Sequence, residues 1–105
     1  CDVVVVPFPF TERAAAQRRP ALVISKSAFN ACHGHLVLAT ITSAANSGWP
    51  SDIPILDKGS AGLRADSIIR FKLFTLDRDL VLRRIGSLAG RDRDAVGAAF
   101  GEWIM

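Results

Sequence analysis

The chain has 105 residues, half of them hydrophobic and 22% charged, with 13 Lys and Arg against 10 Asp and Glu for a net charge of +3. Such a composition describes one globular domain with a small core, and it excludes disordered, fibrous and disulfide-stapled chains. The two cysteines, Cys1 and Cys32, are too few for a disulfide framework and suit a reducing cytoplasm. No apolar run nears the ~20 residues of a membrane span, and no signal peptide is visible. Because the sequence opens on Cys1, its start codon is expected upstream.

Residues 2–6, Asp2-Val3-Val4-Val5-Val6, are β-branched and read as a short strand buried on both faces. Pro7-Phe8-Pro9-Phe10 ends it, since each proline removes a ladder donor. Residues 11–17 read as a polar, alanine-rich loop. Arg19-Pro20 then opens a second strand over residues 21–25, with the proline at a strand's first position. Residues 26–34 are irregular, with room for one helical turn around 28–32. A third strand is expected at 36–42 and a small-residue loop at 43–50. A fourth strand at 52–56 carries Pro54 internally, which assigns it to a sheet edge. After a turn cluster at 57–62, residues 67–74 alternate from Ile69 onward as a half-buried strand. A tight turn at 75–79 leads to a last strand at 80–88, ending near Gly86. From Asp92 the period changes: Ala95, Val96, Ala99, Phe100 and Trp103 recur at three- and four-residue steps, giving an amphipathic C-terminal helix capped by Asp92. The expected fold is mainly β with a C-terminal helix, a compact barrel or a sheet folded on itself and sealed by that helix.

Several enzyme signatures are absent: GxGxxG, a Walker loop, CxxC and HExxH. Cys32-His33-Gly34-His35 has metal-ligand residue types but no second pair to complete a four-ligand zinc site, so no metal or other cofactor is assigned. His33 and His35 have the right type for general acid–base work. Nothing around Gly34 orients them, and a surface loop carrying two histidines is the preferred reading.

Arginines come in pairs or short runs, Arg18-Arg19, Arg83-Arg84, Arg91 and Arg93. This balance is compatible with polyanion binding and equally with a solvated surface. The stretch Gln17-Arg18-Arg19-Pro20-Ala21-Leu22-Val23-Ile24-Ser25 sets two guanidiniums directly ahead of an apolar run. Such a pair is either a solvated strand end or an anion site held on a rigid element. A guanidinium stays charged at any working pH and grips phosphate oxygens through a bidentate fork. RNA cleavage by its own 2′-hydroxyl loads negative charge on the phosphate in the transition state, which a fixed arginine and nearby hydroxyls stabilise. Arg19 starts one strand, and Thr42 and Ser43 end another. If those strands are neighbours, one rim carries an arginine and two hydroxyls; spacing alone leaves that open.

Taken together, the segments resemble the MazF/PemK family of toxin endoribonucleases from bacterial toxin–antitoxin systems. The opening Asp2-Val3-Val4-Val5-Val6-Pro7-Phe8-Pro9-Phe10-Thr11 resembles the family's first strand and following loop. Arg18-Arg19-Pro20-Ala21-Leu22-Val23-Ile24-Ser25 resembles its arginine–proline strand, and Ala39-Thr40-Ile41-Thr42-Ser43 the strand ending in its threonine. Ser51-Asp52-Ile53-Pro54, Gly62-Leu63, Asp66-Ser67-Ile68-Ile69-Arg70 and Arg84-Ile85-Gly86-Ser87-Leu88 follow in the expected order. The similarity spans nearly the whole chain as a single domain.

The resemblance implies a small SH3-like barrel of the PemK/CcdB type, acting as a cytoplasmic homodimer on single-stranded RNA without a metal. Such enzymes use the 2′-hydroxyl as nucleophile and leave a 2′,3′-cyclic phosphate and a 5′-hydroxyl. It assigns Arg19, directly before the proline, and Thr42 as the catalytic pair. RNA contacts are expected from Phe10, Thr11, Glu12, Gln17, Arg18, Ser43 and Asn46, with Phe8 and Phe10 able to stack on bases or pack at the rim. Ser47 and Trp49 have suitable types for reading or stacking on bases. Some family members carry an acidic residue and a glutamine in the loop before the arginine; Glu12 and Gln17 are the nearest here, with Ala14, Ala15 and Ala16 between them. A cognate antitoxin with a flexible acidic segment is the implied protein partner. The alternative is a non-enzymatic toxin of the same fold that poisons DNA gyrase through its closing helix, since fold alone does not fix function.

Overall fold

The computed structural model describes residues 1–8, 17–46 and 48–105. Six strands form one sheet in the order β4-β5-β3-β2-β1-β6. They are β1 (Asp2–Phe8), β2 (Gln17–Val23), β3 (His35–Ser43), β4 (Ile53–Pro54), β5 (Ser67–Asp77) and β6 (Arg83–Ser87). Every pairing is antiparallel, and the sheet curls into about half a barrel. Helix α1 (Ser27–His33) joins β2 to β3, and α2 (Gly90–Trp103) closes the chain. The mainly β architecture with a C-terminal helix and a β4 edge strand is as expected, whereas several boundaries are not.

β1 continues through Pro7 and Phe8 instead of stopping at the first proline. β6 pairs only with residues up to Val5, so the missing N–H of Pro7 interrupts no ladder bond to β6. β2 begins at Gln17, making Pro20 its fourth residue, opposite Val5, and it ends at Val23. The apolar run outlasts the strand because Ile24 and Ser25 turn away, both donating their amides to the Val37 carbonyl. β5 passes through the expected turn to Asp77, whose side chain accepts the Asp79 amide and caps a single 3₁₀ turn at Arg78–Leu80. β6 accordingly starts late, at Arg83.

The pleat alternates two apolar sets onto opposite faces. The larger core gathers Val3, Leu22, Ala39, Ile41, Ile69 and Phe71 beneath α2, which contributes Val96 and, from its side, Phe100. The Phe71 and Phe100 rings meet edge to face with centroids 5.9 Å apart. The smaller cluster on the other face holds Val4, Val6, Ala21, Leu38 and Leu76.

Asp92 does not cap α2. The cap position is Ala89, and Asp92 sits buried in the first turn with its two carboxylate oxygens accepting the amides of Leu56 (3.0 Å) and Asp57 (2.9 Å). Periodicity marked the helix correctly, but a carboxylate near a helix start serves a neighbouring loop as readily as its own amides. This clamp ties α2 to the chain just after β4. A second close fit holds the turn after it: a Cβ on Gly62 (φ +75) would lie 2.0 Å from the Ile85 carbonyl oxygen, and one on Gly86 would lie 2.4 Å from the Ala61 carbonyl carbon. Ser60 and Ser87 fix the contact with bonds in both directions, 2.9 and 3.0 Å.

The loop after β3 is anchored by charge. Asp52, whose side chain is 4% exposed, pairs with Arg70 at 2.8 Å and accepts the amides of Gly48 and Trp49. Arg70 also donates to the Asn46 carbonyl at 2.8 Å, and its guanidinium lies 5.2 Å from the Trp49 ring centroid. Hydrogen bonding from Arg70, helped by the two amides, holds the Asp52 carboxyl at about 2, below its ordinary 3.8.

Two outcomes are expected. Asp92→Ala leaves two amides without their acceptor and lowers stability by about 2–4 kcal/mol, dropping the thermal midpoint by about 10 °C or more; Asp92→Asn, which keeps one acceptor, loses less. Asp52 has a depressed folded-state pKa, so its contribution is fully present above pH 4 and disappears as the pH falls toward 2. That contribution is on the order of 1–2 kcal/mol after discounting for the solvent that reaches Arg70. Urea titrations between pH 5 and pH 2 check it: Asp52→Asn is destabilised at pH 5 and loses less further stability on acidification than the parent chain.

Candidate functional site

β2 and β3 are neighbours, but only in part. Their ladder covers Ala21↔Thr40, Leu22↔Ala39 and Val23↔Leu38 and goes no further, while β1 stays paired with β2 all the way out to Gln17. Carrying the register on (21 and 40, then 19 and 42) would place Arg19 opposite Thr42. Instead, the sheet forks at Pro20, the residue with no N–H to give. On the far side, Thr42 and Ser43 remain paired with β5 through Ile68 and Ser67. The first half of β2 and the last residues of β3 thus form two prongs with a gap between them.

Arg19 stands on one prong. Its guanidinium carbon lies 4.5 Å from the Phe8 ring centroid, and its Nη2 donates to Gln17 Oε1 at 3.1 Å. Stacking on an aromatic face and one neutral acceptor orient the group without cancelling its charge. Thr42 stands on the other prong, half-buried, and its hydroxyl has no hydrogen-bond partner among the described residues. Thr40, two residues earlier, differs: its Oγ1 donates to the Lys72 carbonyl at 2.8 Å. That bond bridges an irregularity where β3 passes from Ala39↔Leu73 to Thr40↔Arg70, a bulge that re-aims the strand end.

A cleft of about 310 Å³ brings Arg19, Thr40, Thr42, Arg70 and Lys72 together over a floor that includes Phe8 and Phe74. Arg70 is held by Asp52, leaving Arg19 and Lys72 as the cleft's cations without an ion-pair partner among the described residues. A second cleft of about 500 Å³ lies along the gap itself and is lined by Gln17, Arg18, Arg19, Thr42, Ser43 and Asn46. Arg18 lines this cleft and not the first, as strand alternation requires.

Five of the residues expected at the site therefore meet Arg19 and Thr42 or their gap, in altered roles for some. Ser43 Oγ accepts the Ala45 amide at 3.3 Å and starts the 3₁₀ turn at Ala44–Asn46. Asn46 gives its backbone carbonyl to Arg70, and Gln17 gives its side-chain oxygen to Arg19. Phe8 lies under Arg19, so one face of its ring is already covered. Phe10, Thr11, Glu12 and Ser47 lie outside the described residues. The histidines are elsewhere: His33 packs edge-on to Phe29 at 4.6 Å, and His35 Nδ1 lies 2.8 Å from the His33 carbonyl. Among the described residues no three of the His, Cys, Asp and Glu side chains gather as a metal cluster would require. Arg70, Lys72 and Asp52 were missed at the sequence level. The signal was the alternation of residues 69–74, which puts two cations two positions apart on one strand face.

Residues 1–104 match the family described as PemK-like, MazF-like toxin of type II toxin-antitoxin system. Comparison with curated proteins returns no match. Among solved structures, Mycobacterium tuberculosis toxin MazF-mt6 is similar with a TM-score of 0.77 at 18% identity, covering 97% of this chain and 94% of that one. MazF in a MazE-MazF structure from Deinococcus radiodurans gives 0.72 at 20% identity, covering 96% and 88%. A mycobacterial endoribonuclease in complex with its cognate antitoxin gives 0.74 at 15% identity, covering 96% and 88%. At such identities these likenesses speak to the fold, and the sequence match over nearly the full length speaks to kinship. By its sequence over residues 1–104, this chain belongs to the PemK-like, MazF-like family of type II toxin–antitoxin systems.

Proposed function

We propose that the chain is a metal-independent endoribonuclease that cuts single-stranded RNA at the fork between β2 and β3. The observation that carries this reading is Arg19, oriented by Phe8 and Gln17 and without an ion-pair partner among the described residues, in one cleft with Thr42, whose hydroxyl has no partner among them. The 2′-oxygen attacks phosphorus, the bond to the 5′-oxygen breaks, and the products are a 2′,3′-cyclic phosphate and a 5′-hydroxyl. Arg19 holds the non-bridging oxygens as charge builds on them, and Thr42 donates a further hydrogen bond. The described lining of this cleft contains no histidine, thiol or carboxylate. Its residues act through charge and orientation, with proton exchange at the two reacting oxygens passing through water. Asp52, bonded to the Arg70 that lines the cleft, is committed to that arginine.

The enzyme works as a cytoplasmic homodimer and is silenced by an antitoxin whose acidic segment occupies the cationic cleft. Family membership supports this reading, and so do two of the similar structures, one a MazE-MazF pair and the other an endoribonuclease bound to its cognate antitoxin. The competing reading, a gyrase poison, draws on Trp103, Ile104 and Met105, which are exposed at the end of the chain.

Incubating the protein with a long RNA in EDTA separates the two, because only a nuclease that needs no metal produces cut ends. Arg19→Ala is expected to lower cleavage by at least about 100-fold with an unchanged thermal midpoint. Thr42→Ala is expected to lose about tenfold, the worth of one hydrogen bond. Full activity in Arg19→Ala would remove the assignment. RNA left intact together with inhibited gyrase would favour the competing reading.

A further inference from the structure

Some cations on this surface are matched by carboxylates among the described residues: Lys58 with Asp66 at 3.1 Å, Arg70 with Asp52 at 2.8 Å and Arg84 with Asp2 at 3.0 Å. Around the outer side of β2's first half they are not. There a cleft of about 510 Å³ is lined by Arg18, Arg19, Arg64 and Arg83, with no acidic side chain in its described lining. Arg18, Arg64 and Arg83 have no ion-pair or hydrogen-bond partner among the described residues. The arrangement is built rather than loose: β6 carries Arg83, and Arg64 follows the turn locked onto β6 by Gly62 and Gly86. Guanidiniums held around one concavity raise its positive potential and attract an anion. The gap between the prongs shares Arg18 and Arg19 with this cleft and Thr42 with the candidate site. One cationic track therefore runs from Lys72 and Thr42, past Arg19 and Arg18, to Arg64 and Arg83.

We propose that Arg64 and Arg83, with Arg18, bind backbone phosphates of the RNA on one side of the scissile phosphate. The proposal rests on the RNA reading above and extends it beyond the reacting group. A linear, segmented polyanion fits a track of this kind, and guanidinium forks match phosphate oxygens. The cleft's described lining contains neither aromatic nor amide side chains, and its four guanidiniums favour phosphate oxygens over base edges. It supplies affinity and register, while base preference is set elsewhere.

The test uses a fluorescent single-stranded 2′-O-methyl RNA of mixed sequence, which cannot be cut because its nucleophile is blocked, so that binding is read apart from catalysis. The Arg64→Gln/Arg83→Gln double variant is expected to bind about tenfold more weakly at low salt. Its slope of log affinity against log salt should be shallower by about 1.4, two contacts at ~0.7 each. The Arg64→Lys/Arg83→Lys variant, which keeps both charges, should recover most of that slope, and thermal midpoints of both variants confirm folding. Sequenced cut ends of a long RNA should show the parent motif. Unchanged affinity and slope in a folded double variant would overturn the proposal. So would a loss of polyglutamate binding with RNA binding intact, which would assign the cleft to an acidic peptide. A parent chain that binds along the track yet never cuts RNA would remove the nuclease reading and leave the track standing.

Discussion

A single missing hydrogen-bond donor shapes the working end of this molecule. Pro20 stands where β2 ought to hold both neighbours, and from that residue outward β2 keeps β1 and leaves β3. An unbroken ladder would bring Arg19 and Thr42 face to face within a closed sheet, with no room for a substrate between them. The fork separates them while each stays on a rigid element: β2's prong is held by β1, and β3's prong by β5. Pre-organised groups on either side of a gap are what stabilisation of a developing charge demands, since no reorganisation is needed at the moment of reaction.

The charges are sorted by the same framework. Asp52 engages Arg70 so fully that this arginine acts as a strut for the loop leading into β4. Arg19 has a ring beneath it and an amide oxygen beside it, partners that direct a guanidinium without discharging it. The net charge of +3 is thus a poor guide to the field at any one place. Among the described residues, paired carboxylates engage Lys58, Arg70 and Arg84, and none engages the arginines on either side of the first half of β2.

Much of this was legible in the chain. Alternation and β-branching gave the strands their approximate places, Pro54 marked the edge, and the three- and four-residue steps after Asp92 marked the closing helix. Arg19 and Thr42 could be singled out by residue type and order, but whether their strands adjoined was a tertiary fact. Besides the shifted ends of β2, β5 and β6, errors fell at prolines and at Asp92, for one reason. A proline's effect depends on whether its missing donor faces a partner strand, and a carboxylate's on which amides come within reach. Pro7 is harmless because β6 has already ended, whereas Pro20 opens the sheet. Asp92 caps a loop thirty-five residues upstream in place of its own helix. The bulge at Thr40 and the packing of Gly62 on β6 left no mark in periodicity, because each depends on a strand distant in sequence.

The pairing of β1 with β6 has a consequence for synthesis on the ribosome. β1 precedes the other strands of the sheet in the sequence, yet it lies between β2 and β6, and the Leu88 amide bonds back to the Cys1 carbonyl. Asp2 reaches Arg84 across a separation of 82 residues. Until residues 83–87 have emerged, half of β1 presents an unpaired edge, and the larger core lacks the Val96 and Phe100 that α2 lays over it. A nascent chain therefore carries every residue of the fork well before it has a fold able to hold the prongs apart. The fork is held open only once β6 and α2 have joined the sheet.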